Sequence, residues 1–232
     1  MANRLTVHGV LNFATTVLLM AVGFYVFLDL ARSWRPASPP PAVLALPERP
    51  LPLAGAPIDG SADASVAMVV FSDFECPFCA RFANDTWPDL KTQYVDTGLV
   101  RVSFRHAPNP ESHPVAVKLA RAANCAGDRG RFWDAHDRFF HVGTGRAVVD
   151  ALPEALGIDR AQYDACMSHI VDPRLDEDRR IAAQFHVAAT PTFFIGRIVD
   201  DAVVVSQIIP GAAPLDSFRR ALDRLVDGGH PG

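Results

Sequence analysis

Two cysteines three positions apart, in Cys76-Pro77-Phe78-Cys79, are the residues of this chain best suited to chemistry. At i and i+3 of a helical turn, two sulfurs come close enough to form a disulfide. The first lies near the unpaired amides and positive dipole end of the helix, which favours thiolate over thiol. Such placement lowers a cysteine pKa well below its free value of about 8.5. Pro77 suits the first helical turn, because the N–H it lacks would have no partner there. The asymmetry makes Cys76 the nucleophile and the site of a mixed disulfide, and Cys79 the protected thiol that resolves it. Phe78 tunes the pair by packing and lacks the cationic option that histidine offers. Asp73 and Glu75 precede the motif. Each is either a proton shuttle for Cys79 or a solvated loop carboxylate, and a negative charge there opposes ionisation of Cys76.

A CxxC has other uses, and the rest of the chain speaks against them. Half a zinc site would need partners, and His106, His113, His136, His141, His169 and His186 are available. No second CxxC and no closely spaced histidine pair completes a tetrahedral set, so no metal site is expected, and no cofactor. A four-residue loop at a helix start is also a poor structural staple. The formal net charge is -4, with both signs mixed along the chain. No basic patch interleaved with aromatics is visible, so nucleic-acid binding has little support.

The elements around the motif form an α/β pattern. Residues 66 to 71, VAMVVF, read as a short buried strand that runs straight into the CxxC. A helix follows over 80 to 94, with Pro88 expected to kink it, and Gly98 ends the unit. Residues 99 to 104 alternate as a second strand, completing a β-α-β unit. From 111 to 186 the pattern is helical throughout. Gly127 can stop one helix there, and Asp159 and Asp172-Pro173 read as helix starts. Trp133, His136, Phe139 and Phe140 fall at helical spacing and read as core. Strands are expected over 192 to 195 and 203 to 209, around a turn at Asp200-Asp201, and a last amphipathic helix over 214 to 226.

The amino-terminal part has a different character. Residues 9 to 28 carry no charged side chain, and as a helix they span about 30 Å, the thickness of a bilayer's hydrocarbon core. Tyr25 and Trp34 near one end fit an interfacial position. A single transmembrane anchor within residues 1–35 is the expectation, with a cleaved signal peptide as its competitor. Residues 36–57 hold eight prolines and read as a semi-rigid spacer between the anchor and a domain over 58–227. Arg4 precedes the apolar run while Arg32 and Arg35 follow it, so the charge rule leaves orientation open.

Three segments together carry a resemblance. FSDFECPFC with the following helix and RVSFR, the stretch HPVAVKLARAANCAGDRGRFWDAHDRFF, and ATPTFF at 189 to 194 resemble the DsbA-like thiol–disulfide oxidoreductases of the thioredoxin-fold superfamily. The resemblance covers roughly residues 58 to 227. It implies a thioredoxin fold carrying an inserted helical domain at about 111–186. It also implies a cis peptide bond at Pro191 facing the CxxC, with the Thr190 backbone offered to a substrate peptide. Relatives of this kind can hold an extra disulfide in the insertion, which makes Cys125 and Cys166 a structural pair. Two buried free thiols or a second relay are the alternatives. Strong oxidases of the family often carry histidine where this chain has Phe78, and threonine before the cis-proline occurs in oxidase-like and isomerase-like relatives alike.

The function expected is a membrane-anchored enzyme that exchanges disulfides with protein substrates, its C-terminal domain on the extracytoplasmic, periplasmic side. Oxidation is placed ahead of reduction or isomerisation, and a membrane redox partner is expected in either direction. Two other classes stand beside it. A metal-handling module would hold copper(I) or zinc on the two thiolates. A redox-inert binding domain would be expected to have lost a cysteine.

Overall fold

The computed structural model describes residues 16–29 and 45–228. Residues 16–29 are helical, and large apolar side chains on them, among them Leu18, Leu19, Met20, Phe24 and Phe27, are exposed. The apolar run expected to cross a membrane begins outside the described residues. Among the described residues no helix is long and apolar enough to cross a membrane.

Residues 45–228 contain, in chain order, strands β1 (Leu51–Pro52), β2 (Ile58–Asp59) and β3 (Val66–Ser72). A helical run, α1, follows as four consecutive segments, Pro77–Arg81, Phe82–Thr86, Trp87–Leu90 and Lys91–Val95, and leads to β4 (Val100–His106). Then come α2 (Ala116–Gly127), α3 (Phe132–Val142), α4 (Arg146–Asp150), α5 (Leu152–Leu156), α6 (Arg160–Met167) and α7 (Pro173–Gln184). Strands β5 (Thr192–Val199) and β6 (Ala202–Pro210) and helix α8 (Leu215–Asp227) complete the series. The sheet order is β1-β6-β5-β3-β4-β2. Only β3 and β4 run parallel, as a β-α-β connection through α1 requires; every other neighbour is antiparallel.

β3 is apolar on both faces because both faces are covered. Val66, Met68 and Val70 join Val102, Phe104, Phe193 and side chains of α1, α2, α3 and α8 in the larger core. Ala67, Val69 and Phe71 turn the other way, onto Leu51, Leu53, Ile181, Phe185 and Phe194. Period-two alternation therefore feeds two cores at once. Phe139, Phe140 and His136 are buried in the larger core and Trp133 packs on its edge, as their spacing suggests.

Four differences from the sequence-based expectation have physical causes. The proline-rich spacer was expected to reach residue 57, yet Leu51 and Leu53 are fully buried and Leu51 pairs with Val203. A strand is possible there because Pro52 lies on the sheet edge, where a missing N–H breaks no ladder. Helix was expected from residue 111, but α2 begins at Ala116, and residues 107–115 form a loop containing Pro108, Pro110 and Pro114. β5 runs past Ile195 to Val199 through a bulge at Ile195/Gly196. A Cβ on Gly196 would lie 2.0 Å from the Val204 carbonyl oxygen, so the glycine permits the close approach rather than ending the strand. In α1, the segments Phe82–Thr86 and Lys91–Val95 are π-wound on either side of Pro88. Pro88 has no N–H to give and its ring crowds the preceding turn, and wide turns absorb that misfit.

A buried ion pair ties the sheet to the insertion. Arg105 on β4 is 1 % exposed and donates from Nη1 to Asp178 Oδ1 of α7 at 2.7 Å. Its Nη2 reaches the carbonyls of Pro52 (2.7 Å) and Ala54 (3.0 Å), while Asp178 Oδ2 accepts the His106 N–H at 2.8 Å. One guanidinium thus fastens β1, β4 and α7 together. Arg105→Ala strands the Asp178 carboxylate without its counter-charge and is expected to destabilise the fold by about 3–5 kcal/mol in denaturant unfolding. A loss below about 1 kcal/mol would show that water replaces the guanidinium and that the clamp is dispensable.

Candidate active site

Four residues, Asp73 to Cys76, turn the chain from β3 into α1. Phe74 anchors this elbow: it is 2 % exposed, stacks on Phe104 at 5.3 Å, and meets Phe139 and Phe140 edge-on or tilted at 5.1 Å each. Cys76 takes an extended conformation as N-cap (φ −70°, ψ 121°), with Pro77 in the first helical turn. Its N–H donates to the Asp73 carbonyl at 3.1 Å and its carbonyl accepts the Ala80 N–H at 3.0 Å. The sulfur is thereby held over the open end of the helix, where amides point outward without partners.

The two thiols are free, and their surroundings differ. Both are buried, Cys76 at 5 % exposure and Cys79 at 1 %, so Cys79 is the deeper of the two. The Cys79 thiol donates to the Cys76 sulfur and, against the opposing push of burial, holds the Cys76 thiol down at about 5. The Thr190 side chain and the backbone amides of Cys79 and Phe78 add to the lowering. Burial, first, and the hydrogen bond to Cys76 push the Cys79 thiol far up. The pair therefore holds one proton between two sulfurs, and Cys79 keeps it. Asp73 N–H also donates to Cys79 Sγ, at 3.5 Å.

Thr190 and Pro191 close the site from the opposite side. The Thr190–Pro191 peptide bond is cis, and the Thr190 carbonyl lies 3.4 Å from Cys76 Sγ, where it accepts from the thiol form. Phe78 is half-exposed, with the Arg81 guanidinium 5.2 Å from its ring centroid, so a cation does approach the redox turn, from one turn further along α1. Cys125 on α2 and Cys166 on α6 are joined as a disulfide with Cα atoms 5.8 Å apart. Among the described residues, no three His, Cys, Asp or Glu side chains are gathered to hold a metal ion.

Sequence reasoning left Asp73 between proton shuttle and solvated carboxylate, and took His113 only as a possible metal ligand. Asp73 is not solvated: it is 2 % exposed and accepts three hydrogen bonds. Oδ1 takes the Glu75 N–H at 2.9 Å; Oδ2 takes the Asn109 N–H at 2.9 Å and lies 2.7 Å from His113 Nδ1. Glu75 in turn accepts the Val115 N–H at 2.6 Å. Two carboxylates of the elbow thus strap the 107–115 loop beneath the cysteines. The available signal was an acid at the end of a wholly apolar strand, between Phe71 and Phe74, a place where a carboxylate must find partners.

The ionisation asymmetry sets a pH signature for the reduced protein. Cys76 in the folded dithiol lies below its ordinary value of about 8.5, so it stabilises the reduced form fully above that value. This contribution shrinks as pH falls and is gone below the folded value of about 5. Two observations are expected: alkylation of Cys76 with a midpoint near pH 5, and a gap in Tm between reduced and oxidised protein that closes as that pH is approached. An alkylation midpoint at the free-thiol value would contradict the geometry.

Residues 54–208 match the family model described as Thioredoxin. The chain is 35 % identical over 144 residues to a Na(+)/H(+) antiporter NhaA 1 of Salinispora arenicola, covering 60 % of this chain and 21 % of that protein. It is 24 % identical to disulfide bond formation protein D of Bacillus subtilis, over 75 % of this chain and 78 % of the relative. The crystal structure of α-DsbA1 from Wolbachia pipientis superposes with a TM-score of 0.68 at 19 % identity, covering 77 % of this chain and 94 % of that one. This chain spans less than a third of the length of the antiporters it matches. With the family model matched over residues 54–208, a thioredoxin sheet, a helical insertion after β4 and the CxxC at the start of α1, the chain belongs to the thioredoxin family.

Proposed function

We propose that this protein inserts disulfides into protein substrates through Cys76 and Cys79, on the extracytoplasmic side of a membrane to which residues 9–28 anchor it. The observation that carries the reading is the ionisation asymmetry of the pair, with Cys76 held near 5 and Cys79 kept protonated. A low-pKa sulfur is a good leaving group, and stabilising the reduced form makes the corresponding disulfide oxidising. The exposed apolar side chains of residues 16–29 support the anchor, and so does the absence of charge across residues 9–28. Phe78 in place of histidine is compatible with this reading, because the lowering comes from Cys79, the Thr190 side chain and the backbone amides of Cys79 and Phe78 rather than from the side chain at the third motif position.

The reaction balances as two exchanges. A substrate thiolate attacks Cys76 Sγ; the Cys76–Cys79 bond breaks, and Cys79 leaves and takes a proton. A second substrate thiolate then attacks the substrate sulfur of the mixed disulfide, and Cys76 leaves as thiolate. The substrate loses two electrons and the CxxC gains them, which a membrane redox partner must remove before the next turnover. Pro191 and the Thr190 backbone shape the approach of the substrate strand. The Cys125–Cys166 bond serves as a staple of the insertion, a loop closure worth about 4 kcal/mol in the chain-entropy model.

The test uses oxidised full chain and a reduced peptide carrying two cysteines. One peptide disulfide is expected per CxxC reduced. Cys79→Ser should stall as a mixed disulfide on Cys76 when offered an oxidised peptide, and Cys76→Ser should exchange nothing. Turnover by Cys76→Ser would refute the assignment of the attacking sulfur. Tight copper(I) retention with no reversible disulfide would replace the oxidoreductase reading by metal handling.

A further inference from the structure

The Asp73–His113 pair has no part in the exchange steps above, yet it sits directly against them. Asp73 has no side-chain exposure and His113 only 20 %, and the two are 2.7 Å apart. Asp73 also carries the elbow: its carbonyl receives the Cys76 N–H and its N–H points to Cys79 Sγ. His113 comes from another element, the loop before α2, and together with Thr190 lines a cleft of about 430 Å³. The cleft that His113 borders is thus also lined by the residue whose carbonyl lies 3.4 Å from Cys76 Sγ.

A buried carboxylate three residues before the attacking cysteine is an electrostatic liability, since it opposes the thiolate. An imidazolium on that carboxylate cancels the liability and adds attraction to the thiolate. We propose that His113, anchored on Asp73, is an electrostatic positioning residue: its protonated ring holds Cys76 ionised in the reduced protein, supplying from outside the CxxC a charge the motif itself lacks. The inference rests on the thiol–disulfide reading of the site.

The neighbours of the ring favour its charged form. The hydrogen bond to Asp73 raises the imidazole above its ordinary value despite some burial, and the charges of Asp73, Cys76 and Glu75 act the same way. Around the cleft stand Glu111, Arg179 and His106. Arg179 is paired with Asp176, and burial keeps His106 neutral. Because the thiolate attracts the imidazolium, His113 binds its proton more tightly in the reduced form than in the disulfide. Reduction then takes up a fraction of a proton at His113 in addition to the one that Cys79 receives.

His113→Gln and His113→Lys in the full chain separate charge from packing. In His113→Gln the Cys76 thiol pKa is expected to rise by about one unit, with the glutathione equilibrium at pH 7 shifted about tenfold toward the disulfide. His113→Lys, charged throughout, is expected to keep the low value. Both variants should lose the extra proton dependence that the wild type shows where His113 titrates. If His113→Gln exchanges disulfides with an unchanged Cys76 pKa and only a lower Tm, the pair is a clasp and the proposal is overturned. A folded His113→Lys with a raised Cys76 pKa overturns it as well. Should His113→Gln not fold, His113→Lys decides alone by the same criterion. Absence of reversible disulfide formation in the wild type would instead strike the oxidoreductase reading itself.

Discussion

One proton shared between two sulfurs governs this site. Cys76 and Cys79 are a helical turn apart, and the second is buried more deeply than the first. Burial penalises charge on Cys79, so its thiol keeps the proton and donates a hydrogen bond to Cys76, which is the anion. Neither cysteine would do this alone. An isolated thiol at a helix start would gain only the amides, and an isolated buried thiol would be inert.

Much of the fold exists to hold that turn in register. β3 is the parallel partner of β4 and the antiparallel partner of β5, so the elbow and the Thr190–Pro191 loop emerge at the same end of the sheet. Phe74 pins the elbow into an aromatic cluster with Phe104, Phe139 and Phe140, which makes the helical insertion part of the support for the redox turn. The Arg105–Asp178 pair fastens the far side, joining the strand that leads to the 107–115 loop with the helix that leads to Thr190. Displacement of either loop would move a carbonyl or a carboxylate relative to the sulfurs, and ångström changes in such contacts alter ionisation directly.

The central strands and the CxxC were legible in the sequence because they follow local rules. A β-branched apolar run read as β3, and Asp159 and Asp172 cap α6 and α7 with the bonds their identities suggest, to Gln162 and Arg174. What escaped is what depends on distant partners. Leu51 and Pro52 look like linker until β6 offers an edge, and the strand expected over 192 to 195 runs on through Gly196, where the Val204 carbonyl needs the space. Asp73 looks like a loop acid until Asn109 and His113 arrive from some 40 positions away. Local pattern encodes elements; it does not encode which far segment satisfies a buried carboxylate.

The most direct test of this account is the equilibrium reduction potential of the Cys76–Cys79 pair against glutathione, with Cys125 and Cys166 followed separately by alkylation. Stabilisation of the Cys76 thiolate stabilises the reduced form, so the account predicts an oxidising couple, near about −120 mV. A value near about −270 mV, the range of a reductant, would contradict it. Such a result would mean that the proton held at Cys79 does not tilt the couple toward the dithiol.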